Sequence, residues 1–267
     1  AIVLNQKLRA RGFFRTAFYF PSVTSSVAIS LVFLFLFTGT GAINKVLSFF
    51  GINGPVWFSD PRGVLHLILE RLGLVSINDP PAALTDNRFL GLSWWEWLSG
   101  PSVAMMAIIF LVVWTTAGTF MLMFLAALQD VPREVEEAAL IDGTNRWQRF
   151  RNVTLPSIRP VLFLVLTLGL IGTWQVFDQI YVMSQGSPAK TTLTPAFLSY
   201  QYSFDQQDWG IGAAMAFVLF AIIIVLTTLQ RFWLRDKDAA RERRDVRRAK
   251  RARRAASAAA EPRGDSA

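Results

Sequence analysis

Within long apolar runs a few polar residues stand out as able to do chemistry. Thr115, Thr116 and Thr119 fall in one run, with 115 and 119 on the same helical face. Gly172, Thr173 and Val176 form a face in another, with Trp174, Gln175 and Asp178 nearby. Hydroxyl, amide and carboxyl groups are costly at membrane depth without partners, so they mark a path for a solute. The bland alternative is that the Thr and Gly residues are helix-packing contacts. What the set offers is hydrogen bonding, not bond making. The chain has no cysteine and one histidine, His66, so thiol chemistry and multi-histidine metal sites are excluded. His66 lies in an amphipathic stretch and reads as an interfacial polar residue. No metal site is expected. No GxxxxGK[ST] run occurs, so ATP is not bound here through a P-loop. No cluster of carboxylates or histidines faces one site, which argues against an enzyme.

A second group, Glu134 to Pro156, offers mechanics instead. It is polar yet lies between two apolar runs. Pro132 suits a first helical turn, where its missing N–H costs nothing. Residues 133–141 are good helix formers without internal Gly or Pro. Val135, Ala138 and Ala139 are expected on one face, flanked by Glu134 and Glu137. Asp142-Gly143 stops the helix at a residue tolerant of positive φ. A basic segment with Arg146, Arg149 and Arg151 then leads to Pro156. The whole reads as a helix-turn-helix arm held out of the membrane for a partner to push on.

These groups need a scaffold of spans. Hydrophobic residues make up 52% and charged ones 17%, in blocks that imply an all-α, polytopic helical membrane protein. Four spans are expected, at about 17–38, 103–128, 160–183 and 211–234. An extracytoplasmic connection covers about 39–102, and a basic tail covers 235–267. Apolar residues at 64, 65, 68, 72 and 75 have helical spacing but are too few to span, so that helix should lie on the surface or pack on the spans. Trp94, Trp95 and Trp97 suit a membrane–water boundary, with a sugar-stacking platform as the lesser alternative. Segments 1–17, 129–159 and 235–267 hold 4, 5 and 12 Lys or Arg, against one in 184–210. The arm and both ends of the chain should therefore face the cytoplasm. The tail lacks interleaved aromatics and reads as a solvated cytoplasmic segment, not a nucleic-acid binder.

Glu137-Ala138-Ala139, three residues, Gly143, nine residues, then Val153-x-Leu155-Pro156 resembles the EAA motif of permease subunits in binding-protein-dependent ABC importers. Every position is kept, with Val153 for Ile. Asp142 and Phe150 resemble the sugar-importing, maltose-type branch. The resemblance implies a type I ABC importer permease fold with a cytoplasmic coupling helix. Glu137, Ala138, Ala139, Asp142, Gly143, Leu155 and Pro156 would couple it to an ATPase subunit, with the alanine pair filling a groove. It places substrate contacts at Thr115, Thr116, Thr119, Gly172, Thr173 and Val176, by position and not by residue type. Hydroxyl and amide groups with aromatics suit a sugar. It also implies a second permease subunit, ATPase subunits, an external solute-binding protein and a bacterial plasma membrane location. No cofactor is expected on this chain, since ATP is used by the partner. Residues 60–100 look like an insertion relative to the family. Arg11 to Thr16, running into Phe20-Pro21, resembles the approach to the family's third span, so the chain resembles a permease lacking its first span and nearly all of its second. An importer for glycerol phosphate or a polyamine is the alternative within transport; no basic residue for a phosphate lies between Val103 and Leu128 or between Val161 and Met183. A membrane scaffold that no longer transports is the alternative outside it.

Overall fold

The structure, a computed structural model, describes residues 1–5, 10–77, 79, 81–89 and 91–233. The basic tail expected at 235–267, and Lys7 and Arg9 of the first basic segment, lie outside the described residues. Two compact units divide the chain, Ala1–Ile224 and Val225–Ala267; in the second, residues 225–233 are helical.

The helices begin with α1 (Ile2–Asn5), α2 (Arg11–Val23), α3 (Ser26–Leu36), α4 (Ala42–Phe49), α5 (Val64–Arg71) and α6 (Ala82–Thr85). Two-residue strands β1 (Arg88–Phe89) and β2 (Leu92–Ser93) pair antiparallel, a small departure from an all-α chain. Then come α7 (Trp94–Leu98), α8 (Val103–Gln129), α9 (Arg133–Ile141), α10 (Arg146–Arg149), α11 (Leu155–Ser157) and α12 (Arg159–Trp174). The chain continues with α13 (Asp178–Met183), α14 (Pro195–Tyr200) and α15 (Trp209–Trp233). A π-helical turn, Phe150–Thr154, joins α10 to α11.

Among the described residues, three segments are long and apolar enough to cross a bilayer: Val103–Gln129, Arg159–Met183 and Trp209–Phe232. A fourth arises only from α2 and α3 together, and these are bent by 101°. The segment expected as one continuous span at 17–38 is therefore two helices meeting at a sharp bend. Pro21 lacks an N–H for the helix ladder and crowds the preceding turn. The Ser22 hydroxyl donates to the Tyr19 carbonyl at 2.7 Å and that of Thr24 to Phe20 at 3.1 Å, back-bonding that bends helices. Thr24 and Ser25 then turn extended, with ψ of 144° and 130°.

The span expected at 160–183 is also interrupted, at residues 175–177. Two of the backbone groups at the break find partners, as apolar surroundings favour. The Gln175 N–H donates to the carbonyls of Ile171 and Gly172, both at 3.2 Å. The Val176 carbonyl accepts the Thr194 hydroxyl at 2.8 Å. Phe177 packs on Tyr200, Tyr181 and Phe197, with ring centroids 5.2, 5.6 and 6.1 Å away.

The apolar core joins Ile29, Phe33 and Phe37 to Ala107, Ile108 and Leu111 of α8, Ile180 and Met183 of α13, and Phe197 of α14. Phe35, Phe110 and Phe217 are exposed. That is ordinary for a helix in lipid, where association rests on close packing and not on hiding apolar surface. The α2–α8 seam illustrates it. A Cβ on Gly118 would lie 2.4 Å from the Phe18 carbonyl oxygen and 2.9 Å from Tyr19 Cα, so only glycine fits.

The 39–102 connection is pinned to the start of α8. Val64 donates its N–H to Pro101 at 3.0 Å, and Val103 donates to Arg62 at 3.1 Å. Trp57 Nε1 donates to Asn44 Oδ1 at 2.8 Å, fixing the loop after α4. His66 is only 7% exposed; its ring stacks on Trp95 with centroids 3.8 Å apart, and Nε2 lies 3.0 Å from the Trp95 carbonyl oxygen. It is a buried packing residue and not the interfacial one expected. The partner that buries it, Trp95, is distant in sequence. Trp94 and Trp97 remain about half exposed.

Candidate solute path and coupling arm

Thr115, Thr116 and Thr119 lie around the midpoint of α8. Two cavities open beside them. One, of about 330 Å³, is bounded by Thr115 and Thr116 of α8, by Gly172 and Thr173 of α12, and by Val176 and Gln179 beyond the break. The other, of about 290 Å³, is bounded by Ser22, Thr24 and Ser26 at the α2–α3 break and by Thr115, Thr116 and Thr119. Thr115, Thr116, Phe120 and Gln179 line both, so the two adjoin. All six path residues picked from sequence thus border one of two neighbouring chambers. Each chamber sits against a place where a span stops being helical, as expected of irregular backbone at membrane depth.

The hydroxyls are oriented by their own helices. Thr116 donates to the Val112 carbonyl at 2.6 Å, and Thr173 donates to Gly169 at 2.8 Å. Thr115 donates between Leu111 at 3.0 Å and Val112 at 3.1 Å. With its proton committed, each oxygen can accept a hydrogen bond from a hydroxylated solute. A Cβ added to Gly172 would meet no described atom within 4 Å, so no helix of this chain packs closely on it. It leaves room. A Cβ added to Gly169, one turn earlier, would sit 3.6 Å from the Phe120 ring, in ordinary contact.

Asp178, just after the 175–177 break, is half-buried. It lines the larger chamber, and the Ser26 hydroxyl donates to its Oδ2. Gln179 and Ser26 were not among the path residues expected. The available signal was the run Pro21 to Ser26, a helix breaker followed by hydroxyl residues in an apolar stretch.

The arm is built by local rules. Gly143 has φ +73°. Its N–H donates to Leu140 at 3.1 Å and that of Thr144 donates to Ala139 at 3.2 Å, the two bonds of a Schellman stop. Asn145 then caps α10, accepting the Gln148 N–H at 2.8 Å, while Gln148 Oε1 accepts the Asn145 N–H at 2.9 Å. Glu134 and Glu136 occupy the first turn of α9, where the helix dipole favours them. Glu137, Ala138, Asp142, Gly143 and Pro156 are exposed; Leu155 is half-buried.

One expectation is corrected here. Ala139 is 7% exposed, buried within the chain itself, and α9 packs on the Phe150–Thr154 turn. The two alanines therefore do not act as a pair here: Ala138 is exposed and Ala139 is not. What α9 offers outward is Ala138 with Val135, Leu140 and Ile141, the last 86% exposed, and Trp147 of α10 is exposed as well. Large apolar side chains in an otherwise polar arm were the signal for this surface.

A family model described as a binding-protein-dependent transport system inner membrane component matches residues 1–236. The lactose transport system permease protein of Rhizobium radiobacter is 32% identical over 240 residues, covering 89% of this chain and 68% of that protein. An arabinooligosaccharides transport system permease protein of Halalkalibacterium halodurans is 33% identical over 236 residues, covering 87% and 62%. The trehalose/maltose transport system permease protein of Thermococcus litoralis is 29% identical over 230 residues, covering 85% and 63%. The chain spans between 62% and 68% of the length of these three relatives. A solved bacterial alginate ABC transporter, in complex with an alginate pentasaccharide-bound periplasmic protein, superposes with a TM-score of 0.64 at 21% identity, covering 88% of this chain and 69% of that one. The fold is that of an ABC importer permease.

Proposed function

We propose that this chain, which belongs to the family of binding-protein-dependent transport system inner membrane components, is a permease subunit of a carbohydrate ABC importer. The observation that carries the reading is the convergence of Thr115, Thr116, Thr119, Gly172, Thr173 and Val176 on two adjoining chambers at span breaks. Sugar transport is what the printed names of the relatives share.

In this reading an external solute-binding protein delivers the sugar. Threonine oxygens accept its hydroxyl protons, Gln175 and Gln179 offer amide groups, and the room beside Gly172 admits the ring. A second permease subunit completes the path. The arm faces the cytoplasm, as the basic residues predict, and docks through Ala138, Ile141 and the Glu137 edge in a groove of an ATPase subunit. ATP is bound and split there, so this chain needs no cofactor of its own. Motion has a physical route. The helix α8 runs from the chambers directly into α9, and α9 packs on the Phe150–Thr154 turn that leads through α11 into α12. Both helices that wall the larger chamber therefore end at the arm.

The chain's lack of cysteine permits a direct test. A single Ala138→Cys is introduced, the chain is co-expressed with its ATPase and sister permease, and cross-linking to a cysteine in the ATPase groove is followed. A cross-link that changes with nucleotide is expected. Its absence, with the assembly intact, would remove the coupling role.

A further inference from the structure

The two chambers hold a charge that hydrogen bonding to a neutral sugar does not require. Among the residues lining them, Asp178 is the one ionisable side chain; the others are Thr, Ser, Gln, Gly, Pro or apolar. It opens α13 just after the 175–177 break, and Ser26, which opens α3 just after the other break, donates to its Oδ2. Ser26 lines the smaller chamber and Asp178 the larger, so the carboxyl group is fixed at the seam between them. A hydroxyl partner holds the group in place without cancelling its charge, as an arginine or lysine would. Apolar walls carry the field of such a group farther than water does.

We propose that Asp178 is a specificity-determining residue of the path, which favours uncharged or cationic saccharides and disfavours those bearing a carboxylate, such as uronates. This rests on the chambers being the solute path. The competing role for Asp178 is a clasp between α3 and α13, which Asn would also serve, since its amide oxygen can accept from Ser26.

The test reads potential directly and needs no substrate. Gly172→Cys places the only thiol of the chain in the larger chamber, where a Cβ has space. Its modification rates are measured in membranes with a cationic and an anionic methanethiosulfonate of similar size, each normalised to a small thiol in solution. The cationic reagent is expected to react on the order of tenfold faster. Adding Asp178→Asn should bring the ratio near one, and Asp178→Glu should restore it. A ratio that Asp178→Asn leaves unchanged assigns Asp178 to the clasp alone and overturns the proposal. No reaction with either charged reagent, while a neutral permeant maleimide reacts, instead overturns the path reading. Should Asp178→Asn fail to accumulate, raising ionic strength on the Gly172→Cys chain must compress the ratio, since a fixed charge at a water-filled site is screened; a ratio insensitive to salt also overturns the proposal.

Discussion

The arm and the chambers are both made where a helix stops, but they stop for different reasons. In the arm, α9 ends because Gly143 takes φ +73° and its neighbours complete a Schellman turn, all within six residues. At the chambers, α12 ends at Trp174, and the residues that stabilise the break after it, Thr194, Phe197 and Tyr200, come from about twenty residues further on. The other break is sealed from still farther away, by Ser26 bonded to Asp178. Local stops make a shape that a partner can push as a unit. Stops held by tertiary contacts make a shape that can change when those contacts shift, which suits the alternating opening that the proposed function asks of the chambers.

The comparison can be broken most severely at the chamber side. Gly118→Val drives a side chain into the α2 backbone and should cost about 1–3 kcal/mol or more from overpacking, seen as a lower melting temperature and a loss of monodispersity in detergent. An unchanged melt would mean the α2–α8 seam is not close-packed. On the arm, Gly143→Val meets open space but a left-handed backbone, for a strain of about 1–2 kcal/mol. Insertion should survive while ATP hydrolysis uncouples from uptake; normal coupled uptake removes Gly143 from the coupling role. Subtler still, Thr119→Leu or Thr173→Leu deletes one hydrogen-bonding oxygen from a chamber, worth about 0.5–1.5 kcal/mol, or up to roughly tenfold in apparent affinity. ATPase docking should be untouched. Unchanged transport in both variants would return these threonines to helix packing.

The smallest effect sits outside both regions and serves as a control. Arg62 bonds the Asp60 carboxylate at 2.7 Å and 2.9 Å and holds its pKa below the usual carboxylate range. A depressed folded-state pKa contributes stability above the unfolded value, near 3.9, and loses it as pH falls through the folded value. Wild type should therefore lose slightly more thermal stability than Arg62→Gln on acidification from about pH 5 to pH 2, followed by tryptophan fluorescence. Chamber reactivity and arm cross-linking should not differ between the two chains at neutral pH.

How much was legible divides along the same line. The long apolar helices at 103–129 and 209–233 follow from composition and length, and the arm follows from Pro132, Asp142-Gly143 and the spacing to Pro156. The path threonines were legible as polar groups where polarity is costly. Their convergence was not, because it depends on two breaks. Pro21 with Ser22, Thr24 and Ser26 hinted at one of them. Nothing local announces the other, since Gln175-Val176-Phe177 would sit in an ordinary helix without Thr194 and the aromatic cluster on α14.

His66 and Ala139 make the point at single residues. Each has a type and spacing that suit an exposed role, and each is buried in the fold, His66 against Trp95 and Ala139 in a helix that packs on the Phe150–Thr154 turn. What the sequence determined by itself was what lies along one axis: which segments are apolar enough for lipid, where a glycine must terminate a helix, and which motif joins the spans. These follow from solvation and backbone sterics, which act on neighbours. What only the tertiary structure decided was the meeting of distant residues: the 101° bend, the Ser26–Asp178 bond and the shared walls of the two chambers. In a bilayer, where apolar burial between helices contributes little, that meeting is set by close packing and hydrogen bonding across the chain, and neither has a period that a sequence displays.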